Sequence, residues 1–353
     1  MTTRRAFLAA AGSCAAHLAL LGSASPVLAR TLLGPTATPR FRVDAREPWG
    51  RLEAVADGVW ALVSTPLQDR TTLCNGGIVA GRSGVFLVEA VATPEGARWL
   101  AGEARRLTGR WPDGVVLTHH HGDHTGGLAG LAGLAGTPGE AGEAGTGVQV
   151  GAAGPDPVLR TTERIRDRVL LEDRRRSGGD PAPGGGDPPS IRTRLLEATS
   201  LVDAQGPTDV DLGGRHLRLV PRDGHTPSDI TVELDGPPVV FCGDLVWNQM
   251  VPNYVDAVPS RLSRSVRALR RSDADTVYVP GHGPLATPAE LDRFIDLLDH
   301  FEEAGRRAHD EGRTAEEAAA LYRLPPGISD WVLFSPRYPE VAIGAWLREL
   351  GGG

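Results

Sequence analysis

Thr118-His119-His120-His121-Gly122-Asp123-His124-Thr125-Gly126-Gly127 is the stretch whose reading decides this chain. Four histidines and one aspartate fall within six residues, straight after the apolar run Gly114-Val115-Val116-Leu117. That run reads as a short buried strand, so the polar cluster sits where a strand ends and a loop opens. Imidazole and carboxylate are the ligand types of zinc and similar divalent ions. On extended backbone His119 and His121 point to one side and can share a metal. Asp123 and His124 follow Gly122 and can turn toward a second metal close by. A histidine-rich surface tract is the plain alternative. The position against a strand, not in a tail, argues against it.

Three more polar residues occupy the same kind of place, just past an apolar strand and beside glycine. They are His225 in Gly224-His225-Thr226-Pro227-Ser228-Asp229, Asp244 in Gly243-Asp244-Leu245, and His282 in Pro280-Gly281-His282-Gly283-Pro284. Upstream of the histidine motif, four strands and a helix precede the 114–117 strand. Strands over 52–55 and 59–63 flank an Asp57-Gly58 turn, 72–80 and 85–89 follow, and Thr93-Pro94-Glu95 opens a helix to Leu107. Residues 31–50 read as a loose lead-in. Beyond the motif, the Gly/Ala tract 127–147 reads as a helix start and a surface loop. A strand over 148–151 and a helix over 158–176 come next. The Gly/Pro-rich stretch 177–190 reads as disordered, and 191–199 as a second short helix. These two helices form either a cap over the site or a solvated insertion. The second half predicts a hairpin over 210–220, strands over 230–234, 239–242 and 276–279, and helices over 260–271, 287–307, 314–322 and 340–350.

The set of motifs resembles the metallo-β-lactamase superfamily. His119, His121, Asp123 and His124 match its HxHxDH motif, and His225, Asp244 and His282 match the later ligands in order, over roughly 52–298. The resemblance implies an αββα sandwich: two facing mixed β-sheets with helices outside and metals at one edge. It implies two zinc ions, with iron or manganese also compatible with such ligands. His119, His121 and His225 would hold the first. Asp123, His124 and His282 would hold the second, and Asp244 would bridge them together with a water or hydroxide. Such a pair lowers the pKa of bound water to about 7, and Asp123 would orient the hydroxide and handle its proton. His120 is the variable position of the motif and reads as packing. His216, His300 and His309 read as surface or structural. Glu89 departs from the family, whose strand there usually ends in Asp.

The resemblance implies a hydrolase of a small ester, thioester, lactone or lactam. Asp244 is shared with glyoxalase II-like thioesterases and exported hydrolases of the quinoprotein-relay type. Two other readings stand beside it: a β-lactamase proper, and a metal-binding partner of a periplasmic redox or quinoprotein system with little hydrolysis. Trp247, Asn248, Met250, Asn253 and Tyr254, with Trp331, Phe334 and Tyr338, lie where a substrate mouth would be, but ordinary packing is the more frequent role of such residues.

Composition bounds the partners. The chain has 353 residues, 41% of them hydrophobic, and a net charge of −7, which argues against nucleic acid. All 37 basic residues are arginine, so an anionic substrate group must be met by arginine, backbone or metal. Thr3-Arg4-Arg5-Ala6-Phe7-Leu8, a mildly apolar run and Val27-Leu28-Ala29 read as a twin-arginine signal over 1–29. That predicts a periplasmic or extracellular protein without stable membrane insertion. The expected division is a lead-in over 30–50, a metallo-β-lactamase-like domain over 51–310 with an insertion at 127–200, and a helical extension over 311–353. Cys74 and Cys242 read as buried small side chains, and spacing leaves a bridge between them open.

Overall fold

The computed structural model describes residues 38–65, 68–134, 156–176, 190–329 and 331–351. The expected signal segment, the strand over 148–151 and nearly all of the 177–190 stretch lie outside the described residues.

Two mixed sheets carry the fold. The first runs β1 (Val43–Glu47), β2 (Gly50–Ala56), β3 (Val59–Ser64), β4 (Gly76–Ala80), β5 (Val85–Val88), β6 (Gly114–Val116), β7 (Val158–Thr161) and β8 (Ser200–Leu201), in that spatial order. Its first five strands are antiparallel and the last three join in parallel. The second has the order β13 (Val277–His282), β12 (Pro238–Trp247), β11 (Asp229–Asp235), β10 (His216–Arg222), β9 (Thr208–Asp211). Only β12 and β13 pair in parallel there.

Alternation along β12 explains the layers. Val239 and Phe241 enter the core between the sheets. Val240 and Cys242 face the opposite way, into a second core with Tyr278, Phe294, Phe301 and Trp346, as the period of a strand demands. That outer core is covered by α5 (Pro259–Leu269), α6 (Pro288–Asp310) and α8 (Tyr338–Leu350), with α7 (Ala315–Leu321) alongside. On the first sheet, α1 (Pro94–Thr108) buries Ala97, Leu100, Ala101 and Ala104. Gly77 lets the sheets approach: a Cβ there would sit 2.4 Å from Phe241 Cε1 and from the carbonyl of Trp60. The result is the expected αββα sandwich.

Caps set the helix starts. Thr93 Oγ1 accepts from Gly96 N at 3.1 Å, and Thr287 with Glu290 forms a reciprocal capping box on α6. Four details differ from the sequence reading. The lead-in contains edge strand β1, whose Asp44 accepts from Trp60 Nε1 at 2.8 Å. Residues 72–75 are buried irregular backbone, with Leu73 at φ 59°, and Asn75 N donates to the carbonyl of Gly281 on β13 at 2.8 Å. Val158–Thr161 is strand β7, slotted parallel beside β6, and the helix α3 begins only at Glu163 (Glu163–Arg176). Asp244 is not at the end of β12, since that strand runs on to Trp247 through a register shift at Gly243, which has φ 53°. The helix α4 (Ile191–Glu197) packs near α3. Among the described residues no helix is long and apolar enough to cross a membrane.

Candidate metal centre

The histidine motif leaves β6 and enters a short helix, α2 (Gly122–Thr125), then a 3-10 turn over Gly126–Leu131. Across the seam, β12 and β13 bring Asp244 and His282 to the same edge. All seven sequence-predicted site residues meet there, as two groups, with Asp244 of the first group also facing His124 and His282 of the second.

In the first group His121 Nδ1 lies 3.1 Å from His119 Nε2 and 3.1 Å from His225 Nε2. Asp244 Oδ2 is 3.3 Å from His225 Nε2 and 3.7 Å from His119 Nε2. In the second, Asp123 Oδ2 is 3.5 Å from His124 Nε2 and 3.3 Å from His282 Nε2. Asp244 Oδ1 is 3.1 Å and 3.3 Å from the same two nitrogens. A tetrahedral ion with bonds of about 2.0–2.1 Å spaces its ligands about 3.4 Å apart. Both groups therefore have the dimensions of a divalent metal site. Six of the seven residues are buried, whereas the Asp123 side chain is 19% exposed.

The buried His124 Nε2, His282 Nε2 and Asp244 Oδ1 have no hydrogen-bond partner. Buried polar atoms are rarely left so, and a cation between them would satisfy all three. Electrostatics agree. Burial pushes His225 down to about 3 and lowers His119 well below its ordinary range, so these imidazoles are neutral. Burial opposes the charge on Asp244, yet His282, His124 and His225 hold its carboxyl well below the usual carboxylate range. Against the same burial, Asp244 and Asp123 raise His282 to about 9, so without a cation it keeps a proton. A metal there would displace that proton, since neutral imidazoles and ionised carboxylates are the forms that bind metal.

Surrounding contacts fix the rings. Glu89, at φ 71°, takes the Thr118 hydroxyl and lies 3.1 Å from His124 Nδ1. Its longer side chain thus still reaches the motif. Asp229, pushed up to about 7 by burial, accepts from Thr226 N at 3.0 Å and Thr226 Oγ1 at 2.8 Å, bracing the His225 loop. Asn75 Nδ2 donates to the carbonyls of Pro280 at 3.0 Å and Gly283 at 2.7 Å, bracing His282. Sequence reasoning missed Asp256, whose Oδ2 lies 3.0 Å from His121 Nε2. It follows no strand and sits beside no glycine, so nothing local singled it out.

Several other expectations resolve as packing. Trp247 is buried with its ring 4.2 Å from that of His282. Asn248 is buried and donates to the carbonyls of Pro284 and Leu285 at 3.0 and 3.2 Å. Met250, Tyr254, Trp331 and Tyr338 belong to the outer core, with Phe334 packed against it. His216, His300 and His309 are on the surface. Cys74 and Cys242 are both free and buried.

The chain is similar to known proteins in the same terms. The sequence profile of the Metallo-beta-lactamase superfamily matches residues 70–282. A Hydroxyacylglutathione hydrolase of Acidiphilium cryptum is 26% identical over 66% of this chain and 74% of its own length. One of Shewanella loihica is 25% identical over 48% of this chain and 47% of its own. Among solved structures, a metallo beta lactamase from Erythrobacter litoralis superposes with TM-score 0.52 at 21% identity, covering 73% of this chain and 99% of that one. A metallo-beta-lactamase from Pontibacter korlensis gives 0.51 at 19%, covering 71% and 99%. These two show the sandwich alone. The profile spans more than half of the chain and ends at His282, the last of the converging side chains, and so this protein belongs to the metallo-β-lactamase superfamily and is a metal-dependent hydrolase.

Proposed function

We propose that the chain is an exported hydrolase that holds two zinc ions and cleaves a small acyl compound, with a thioester the first substrate to try, ahead of an ester, lactone or lactam. One observation carries the reading: the two carboxylate oxygens of Asp244 face two different ligand groups, 3.3 Å from His225 and 3.1 Å from His124. His119, His121 and His225 would hold one ion and Asp123, His124 and His282 the other, with Asp244 facing both groups. Ions in those places would supply Lewis acidity for a carbonyl and the means to ionise water near neutral pH.

The chain's own residues do the rest. His119 and His225 stay neutral, and with His121 they fix one place at the buried edge. Asp123 is the most exposed of the seven and turns Oδ2 toward His124 and His282. It is the group placed to orient a water and to carry its proton at the solvent side. The thioester preference rests on the relatives, whose name describes hydrolysis of an acylated glutathione. Export rests on the twin-arginine pattern at Arg4 and Arg5. The test is a hydrolysis panel of thioester, ester, lactone and lactam on zinc-loaded and chelated protein, with metal content measured. Thioester turnover that needs two zinc per chain is the expected result. Equal turnover after chelation overturns the reading.

A further inference from the structure

Asp256 lies between β12 and α5, outside the seven-residue set. His121 turns Nδ1 toward His119 and His225, and its opposite nitrogen, Nε2, toward Asp256 Oδ2 at 3.0 Å. The same oxygen is 3.5 Å from His120 Nε2. His120 is buried, and its Nε2 also lies 3.7 Å from Glu172 Oε1 on α3. Arg168 Nε in turn donates to Glu172 Oε1 at 3.1 Å. A neutral imidazole carries one proton. If Nδ1 is the metal-facing nitrogen, that proton sits on Nε2, and a carboxylate there fixes the tautomer and the plane of the ring. Asp256 also borders a cavity of about 280 Å³ between α3 and the Thr226–Ser228 loop, and its side chain is 31% exposed. Changing it therefore opens no hole in the core.

We propose that Asp256 is a positioning residue that holds the Nε2 proton of His121 so that Nδ1 faces the first metal. The inference rests on the two-metal reading above. His120, His121 and Asp256 also lie close enough together to hold a cation of their own, but His121 would then have to bind through both nitrogens and give up its ring proton.

The test is zinc titration of the full chain against a chromophoric chelator, with cobalt(II) spectra, for the unaltered protein, Asp256→Asn and Asp256→Glu. Asp256→Asn should weaken one of two zinc equivalents by about 10- to 100-fold, alter the cobalt spectrum of that site and leave the other equivalent unchanged. Asp256→Glu should restore part of the affinity. Independently of any variant, nitrogen-15 spectra of the zinc-loaded protein should show His121 protonated at Nε2. Unchanged affinities and cobalt spectrum in Asp256→Asn overturn the proposal. So does an unprotonated Nε2, or a third zinc equivalent that Asp256→Asn abolishes. Unaltered protein that bound no zinc would end the metal reading and this inference with it; two zinc bound by an indifferent Asp256→Asn would end only the inference.

Discussion

Asn75 donates from Nδ2 to the carbonyl of Gly283 at 2.7 Å, from the first sheet's side of the seam to the end of β13. The same amide reaches Pro280 O at 3.0 Å, and Asn75 Oδ1 accepts from Ser64 N at 2.8 Å. One buried side chain therefore ties the strand that carries His282 to the half that carries the histidine motif. Asn75→Ala strands two carbonyls and one amide. A loss of about 2–4 kcal/mol is expected from unsatisfied buried groups, read by urea unfolding of metal-free protein. Zinc affinity should fall in the same variant, because His282 is no longer held.

Gly281 touches the site without being part of it. A Cβ there would sit 1.9 Å from Asp244 Oδ1. Gly281→Ala should push the shared carboxylate aside, reduce bound zinc below two per chain and cut hydrolysis at least about 100-fold, or about 2.7 kcal/mol of barrier. Metal analysis beside a rate measurement checks both. Two zinc and unaltered rates would show that Asp244 does not have to sit where it does.

Asp123 separates catalysis from folding. Its side chain is the open one of the set, so Asp123→Ala should leave the unfolding midpoint of metal-free protein within a few degrees. Turnover should fall about 100- to 10,000-fold, the range for a lost proton-transfer group. A surrogate thioester assay decides, and undiminished turnover removes the role given to Asp123.

Glu233 gives a pH-dependent stability far from the metal ligands. Burial opposes its charge, but bonds from Arg222 at 2.9 Å, Thr231 at 2.8 Å and Arg271 at 2.9 Å bring its carboxyl below the ordinary glutamate range. A depressed carboxyl stabilises the fold above its unfolded pKa, and that contribution is lost as pH falls through the folded value. Glu233→Gln should therefore be less stable than the unaltered protein by about 2–3 kcal/mol at pH 7, with the gap closing in acid. Urea unfolding at both pH values reads it, and a gap that stayed constant would be wrong for this network.

Much of the site was legible because His119, His121, Asp123 and His124 all follow β6 and His282 ends β13, although Asp244 lies inside β12. A strand's end is local information, and so is the spacing of His119, His121, Asp123 and His124. The misreadings have local causes too. Val158–Thr161 continues into a polar segment that suits a helix, and only β6 lying alongside makes it a strand. Thr72–Asn75 alternates like a strand, yet Asn75 spends its bonds across the sheets. The aromatic residues near Asp244, by contrast, fill the outer core, the packing role that the sequence favoured for them.

By itself the sequence determined which atoms were available: imidazoles and carboxylates placed at strand ends, glycines where backbone must crowd, and caps that start the helices. Only the tertiary structure decided which of them meet. Asp256 reaches His121 across 135 positions, and Asn75 reaches Gly283 across 208. Asp244 faces both groups only because β12 and β13 lie parallel beside the histidine loop. Side-chain chemistry and backbone propensity act within a few residues. A shared site needs the packing of two sheets, and that packing depends on the whole buried surface at once.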